Sequence, residues 1–192
     1  MNDTQNWHTS CLYLSVITHK WRMDNRMDVQ LLRIDSRLLH GQVTTSWARA
    51  LSIDYILVVS DAVAHDKIRK ALMLQVKPAN VNVKILTLAK MERLLQDSRF
   101  DTLKVMILVE SPIDALTLIQ KGLSIYEINI GSLSFQTGSR MITNTVSVTP
   151  EDILAFKALH QKQIALYTQK VATDAKKDFW SVLSDKLKQS TE

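Results

Sequence analysis

Beyond Met27 the chain alternates short, β-branched apolar runs with stretches in which apolar residues recur every three or four positions. The first kind, at 29–34, 55–59, 81–86, 104–109 and 126–130, predicts strands buried on both faces, as in a parallel sheet. The second kind, at 44–51, 64–75, 88–96 and 112–121, predicts helices between them. A further strand is expected at 164–168 and a further helix at 173–187. Two helix starts are well marked, because Ser111-Pro112 and Thr149-Pro150 each place a capping hydroxyl before a proline at the first helical position, with acids just after. Strand-helix alternation of this kind predicts an α/β fold, three layers deep, with helices on both faces of a mostly parallel sheet. No repeat, low-complexity tract or Pro/Gly/Ser-rich linker divides it, so residues 28–192 are expected to form a single domain.

The stretch Arg33-Ile34-Asp35-Ser36-Arg37-Leu38-Leu39-His40-Gly41-Gln42-Val43 puts a histidine on the turn between the first strand and the first helix. In open α/β sheets that turn is where ligands bind. A neutral imidazole is a nucleophile toward phosphorus near neutral pH, the ordinary pKa being about 6.5. Arg37 offers a planar fork of donors to phosphoryl oxygens. Gly41 permits close backbone approach, and if Gly41 and Gln42 open the helix their amides point at a bound anion. Asp35 is expected to orient a ring N–H or a guanidinium. Gly131 and Ser132, following the 126–130 strand, should emerge at the same sheet edge, with Ser132 or its backbone N–H near the phosphoryl group, and Asp61 after the second strand should join this phosphoryl-binding loop. Each has a plainer account, Gly131 and Gly138 as turn formers and Asp61 as part of a polar loop. Gly122 is read as a helix C-cap, and neither His65 nor His160 is given a catalytic role.

Composition narrows the function without choosing it. The chain has 192 residues, 46% of them hydrophobic, enough for one good core. Its net charge is +5. The basic residues are nevertheless interspersed with acids and lack aromatic interleaving, so no nucleic-acid partner is expected. A single cysteine, Cys11, cannot form an internal disulfide. No apolar run approaches the roughly 18 residues of a membrane span. P-loop, nucleophile-elbow and dinucleotide motifs are missing, as is any metal-ligand spacing, and neither a metal nor a cofactor is expected.

The run 33–43, with Trp47, VVSDAVAHD at 58–66, SPIDALTLIQKG at 111–122, INIGSLSFQTGSR at 128–140 and VSVTPEDILAFKAL at 146–159, resembles the IIB component of the mannose/fructose/sorbose class of the bacterial phosphoenolpyruvate-dependent sugar phosphotransferase system. The resemblance implies a cytoplasmic subunit, held peripherally at the membrane's inner face. It would accept a phosphoryl group from the phosphorylated IIA component and pass it to a sugar bound by the membrane IIC/IID components. It also implies that His40 carries the group on the ring nitrogen nearer the backbone, with Arg37 beside it. Ser36 stands where an acid is common, and Ser60-Asp61-Ala62 replaces a usual Asn-Asp-Glu run. A homodimer is compatible with such a subunit. A different class of function, a regulatory or binding module of the same fold that does not pass phosphate to sugar, is the alternative. Residues 1–27 precede the resemblance and are expected to be a disordered extension or the product of an upstream start, the alternative being a short partner-binding or membrane-touching segment.

Overall fold

A computed structural model describes residues 27–189. The expected extension therefore lies almost wholly outside the described residues. Its last member, Met27, is buried in the main core.

β1 (Asp28–Asp35), β2 (Tyr55–Val59), β3 (Asn82–Leu86), β4 (Lys104–Val109), β5 (Glu127–Ser132), β8 (Ala165–Thr168) and β9 (Lys177–Asp178) form one sheet in the order β3-β2-β4-β1-β5-β8-β9. Every pairing in it is parallel except that of β9 with β8. Two successive crossovers, β1 to β2 and β2 to β3, travel toward one end of the sheet. Their helices are α1 (Gly41–Ala50), the short α2 (Asp61–His65) and α3 (Lys67–Gln75). Because such crossovers are right-handed, these helices share a face. Trp47, Ala48 and Val63 pack there against Leu31, Ile56, Val58, Met106 and Leu108. Travel in the opposite sense puts α4 (Leu88–Leu94), α5 (Pro112–Gln120), α6 (Pro150–Gln161) and α7 (Phe179–Lys188) on the other face. Their Met91, Leu118, Phe156 and Phe179 join Leu32, Ile34, Leu57 and Ile107 in the larger core. The α/β, three-layer, mostly parallel architecture is thus present.

Local chemistry sets the boundaries. Ser111 and Thr149 cap α5 and α6 as their sequences require, Thr149 completing a reciprocal pair with Asp152. Gly122 follows α5 at φ +103, a conformation other residues resist. The helix expected over 64–75 is instead two helices, since the Asp66 carboxylate accepts from the Ile68 and Arg69 amides and starts a new one. The helix expected from 173 begins only at Phe179. Lys177 and Asp178 pair with β8, and Asp178 then caps the helix. A hairpin of β6 (Arg140–Thr143) and β7 (Val146–Val148) was not expected; it closes over the core with Ile142, Val146 and Val148.

Candidate functional site

β1 is the middle strand of the seven, and the chain leaves it in one direction toward β2 while its other neighbour, β5, begins the opposite half. A crevice at the carboxyl end of such a strand is the ligand position of an open α/β sheet. Here that position is occupied by the turn Ser36–His40. The turn closes through a bond from the Leu38 amide to the Asp35 carbonyl, and Leu38 takes a left-handed conformation, φ +56. For a side chain as large as leucine this costs about 1–2 kcal/mol. The buried Leu38 side chain offsets it, and the turned carbonyl accepts from Nδ1 of His40 at 2.8 Å.

His40 is the N-cap residue of α1 and makes no side-chain cap. The first amides of the helix, from Gly41 onward, therefore keep donors that the helix cannot satisfy, with its positive dipole end behind them. Gly41, at φ +32, has no atom within 4 Å of where a Cβ would stand, so the approach to these amides is open. A cavity of about 410 Å³ adjoins it, lined by Gly41, Thr45, Ser46 and Arg49. The imidazole is 24% exposed and within reach of a docking group. Its Nε2 is buried without a hydrogen-bond partner and lies 3.7 Å from Oδ2 of Asp35, beyond bonding distance.

Asp35 is wholly buried and collects the site's cations. Its Oδ1 accepts from the Arg37 amide at 3.1 Å and from Arg37 Nε at 3.3 Å. Its Oδ2 accepts from Arg33 Nη2 at 3.0 Å. Arg37 is 55% exposed and presents its guanidinium at the mouth beside His40. Arg33 is buried and reaches the other way, donating through Nη1 to the Asn129 side-chain oxygen and to the Gln169 carbonyl. Burial pulls the Arg33 guanidinium below its ordinary pKa, and the Asp35 carboxylate opposes that pull.

Gly131 is required for a reason other than a turn. β5 gains one extra residue against β1 there, pairing passing from Ile34 with Ile130 to Asp35 with Ser132. A Cβ on Gly131 would stand 2.3 Å from Arg33 Nη2 and 2.6 Å from Asp35 Oδ2. Ser132 contributes its carbonyl to the Ser36 amide at 2.8 Å. Beyond it, Ser134 and Ser36 join by their hydroxyls at 2.9 Å.

The structure therefore gathers His40, Arg37, Asp35, Gly41, Gln42, Gly131 and Ser132 at one edge. Asp61 is at the same edge but two strands away, its exposed carboxylate accepting from the Leu88 amide at 2.8 Å. That bond ties two loops together and leaves Asp61 outside the His40 cluster. His65 bonds the Asp61 carbonyl, and His160 stacks on Trp180. Asn129 and Gln169 were not singled out from sequence, and Arg33, which opens the histidine stretch, was given no role there. The signal was there for two of them: Arg33 and Asn129 are polar residues inside otherwise apolar strand runs, and they sit opposite each other in register. Among the described residues, no group of three or more His, Cys, Asp or Glu could hold a metal ion, and no helix is long and apolar enough to cross a membrane.

Residues 29–192 match the family described as the PTS system sorbose subfamily IIB component. The fructose-specific EIIB component of Bacillus subtilis is 38% identical over 162 residues, covering 84% of this chain and 99% of that protein. The mannose-specific EIIAB component of Escherichia coli is 39% identical over 158 residues, 82% of this chain but only 49% of that longer protein. Among solved structures, the IIBSor domain of the sorbose permease from Klebsiella pneumoniae superposes with a TM-score of 0.80 at 31% identity, covering 83% of this chain and 98% of that one. Fold and likeness together define a phosphotransferase subunit of the phosphoenolpyruvate-dependent sugar phosphotransferase system. The chain belongs to the sorbose-subfamily IIB components, which accept a phosphoryl group from IIA and pass it on to sugar.

Proposed function

We propose that His40 is the residue that carries the phosphoryl group, taken from the phosphohistidine of the IIA component and delivered to a sugar held by the membrane IIC/IID components. The observation that carries this reading is one partly exposed imidazole at an uncapped helix N-terminus, with a guanidinium at its side and a buried carboxylate behind it. Phosphoryl transfer asks for little beyond such positioning and charge stabilisation.

In the resting ring the Nδ1 proton is held by the Leu38 carbonyl. For Nδ1 to attack phosphorus it must lose that proton, and the neutral tautomer then carries its proton on Nε2, which already faces Asp35. The ring turns from Leu38 toward the donor as Nε2–H closes on Asp35. The donor N–P bond breaks as the Nδ1–P bond forms, and the three phosphoryl oxygens meet Arg37 and the amides of Gly41 and Gln42. Gly131 and Ser132 act from below, by leaving room for the Arg33–Asp35 pair and by fixing the Ser36 amide. In the second transfer a sugar hydroxyl attacks the phosphorus, the Nδ1–P bond breaks as the O–P bond forms, and the hydroxyl proton ends on the imidazole. Reaction with a membrane-held sugar puts the subunit on the cytoplasmic side, docked through IIC/IID.

The test is labelling with phosphorylated IIA. Label should appear on His40 as an acid-labile, base-stable adduct and chase onto sugar in membranes carrying IIC/IID, and His40→Ala should take up none while keeping its circular dichroism. A chain that labels but never chases would be a regulatory module instead.

A further inference from the structure

Two exposed apolar patches begin at the sheet edge that carries His40. On one side, the outward line of α3 is Ile68, Leu72 and Val76, one helical turn apart, with Ile68 at 73% and Leu72 at 57% exposure. α3 buries none of its residues completely, and only its inner side, Met73 and Leu74, packs on the sheet-facing core. On the other side, Phe135 is 69% exposed at the start of the loop that Ser134 ties to Ser36. Both patches are anchored to the same rim. Arg69 of α3 bonds Glu110 at 3.2 Å, Glu110 also holds Ser60, and Glu110 follows the β4 residue that pairs with Ile34. From β2 through β4 and β1 to β5 is three strand spacings, about 15 Å. An ordinary protein interface covers about 800 Å² per partner, a disc of roughly 16 Å radius. One partner of that footprint centred on His40 therefore spans the rim on which both patches begin.

We infer that Ile68, Leu72 and Phe135 are the apolar anchors by which the phosphorylated donor protein seats itself over His40. This rests on the function proposed above and adds the surface that serves it. Three occupants compete for such a face, and charge and position choose among them. α3 and the residues just after it carry Lys67, Arg69, Lys70 and Lys77 and no acid, so a second copy set face to face would oppose like charges. A bilayer laid on these patches would cover His40 and shut out any protein bringing the group. A donor protein, whose phosphohistidine is itself anionic, suits both the patches and the exposed Arg37 between them.

The experiment measures phosphoryl transfer to the full chain from radiolabelled IIA component over a range of donor concentrations. Ile68→Ser with Leu72→Ser, and separately Phe135→Ser, should raise KM about tenfold or more while leaving kcat within about twofold. Leu154→Ser, equally exposed but on α6 of the opposite face, should change neither. An unmoved KM in the α3 and Phe135 variants overturns the inference, and so does an equal rise in Leu154→Ser. If the α3 variants instead lose affinity for anionic phospholipid vesicles and keep their KM, the face belongs to the membrane and the inference falls. Failure of the unaltered chain to label at His40 would remove the proposed function itself. Thermal melts of each variant separate loss of docking from loss of fold.

Discussion

Asp35 is the residue on which the site balances, because a wholly buried carboxylate persists as an anion only while cations and N–H donors surround it. Arg33 is its buried partner, and a broken buried pair leaves an uncompensated charge, at a cost of about 3–5 kcal/mol. Arg33→Met should therefore lower stability by about that amount in urea unfolding. Arg33→Lys should recover little, since one ammonium cannot reach Asp35, Asn129 and the Gln169 carbonyl together. A loss below about 1 kcal/mol in the Met variant would show that Arg37 alone suffices for Asp35. Arg37→Lys tests the other side of the same carboxylate. With the planar fork gone, transfer should slow several-fold with stability nearly unchanged, because this side chain is more than half exposed. An equal rate of labelling in single-turnover assays would remove Arg37 from phosphoryl stabilisation.

At the level of elements, the loops do the work that the strands and helices only support. Gly41 illustrates it: its φ of +32 is strained for any other residue, although the space around it is empty. Gly41→Ala should lose roughly 1 kcal/mol and slow transfer further than that loss implies, since the new methyl stands over the anion-binding amides. Rates unchanged at saturating donor would mean these amides do not meet the phosphoryl group. Elsewhere the elements behave as ordinary folding chemistry, and Thr149→Ala should cost about 1 kcal/mol through the cap of α6, read as a lower denaturation midpoint with transfer intact. These same distinctions explain what could be read in advance. β2 and β4 fall where their uninterrupted apolar runs put them, and the caps at Ser111 and Thr149 were plain, because all of these are local signals. The β6–β7 hairpin was not visible, for strands of four and three residues carry too little periodicity. Asp66 was hidden because a cap inside an apolar-periodic stretch looks like one more solvent-facing position. The Arg33–Asn129–Gln169 network joins residues up to 136 positions apart, and only the register of β1 with β5 and the return of β8 bring them together.

For the whole molecule, the face of the sheet that carries the site is covered unevenly. α1, α2 and α3 shield β3, β2, β4 and Leu31 of β1, whereas over Arg33 of β1 and Asn129 of β5 the cover is a loop whose Gln169 carbonyl accepts from both and whose Lys170 carbonyl accepts from Trp47 of α1. Polar side chains replace a helix there, and Tyr167 lies beside them with its phenol pushed above its usual pKa, by burial first and then by the Glu127 carboxylate. The sign of its linkage follows. In the unfolded chain the phenol loses its proton near pH 10, while in the fold it keeps it to higher pH, so above about pH 10 the unfolded state binds fewer protons and stability must fall as pH rises. Tyr167→Phe removes that dependence while leaving the backbone pairing of residue 167 with Asn129 in place. The difference in stability between parent and variant should therefore be flat near pH 7 and move against the parent beyond about pH 10. Urea unfolding of both chains across that range decides it, and a gap that stays constant would mean the phenol titrates alike in the folded and unfolded chain. The site itself should feel the substitution only through Asn129 and Arg33, so labelling of His40 near neutral pH should change by less than it does in the Arg33 variants.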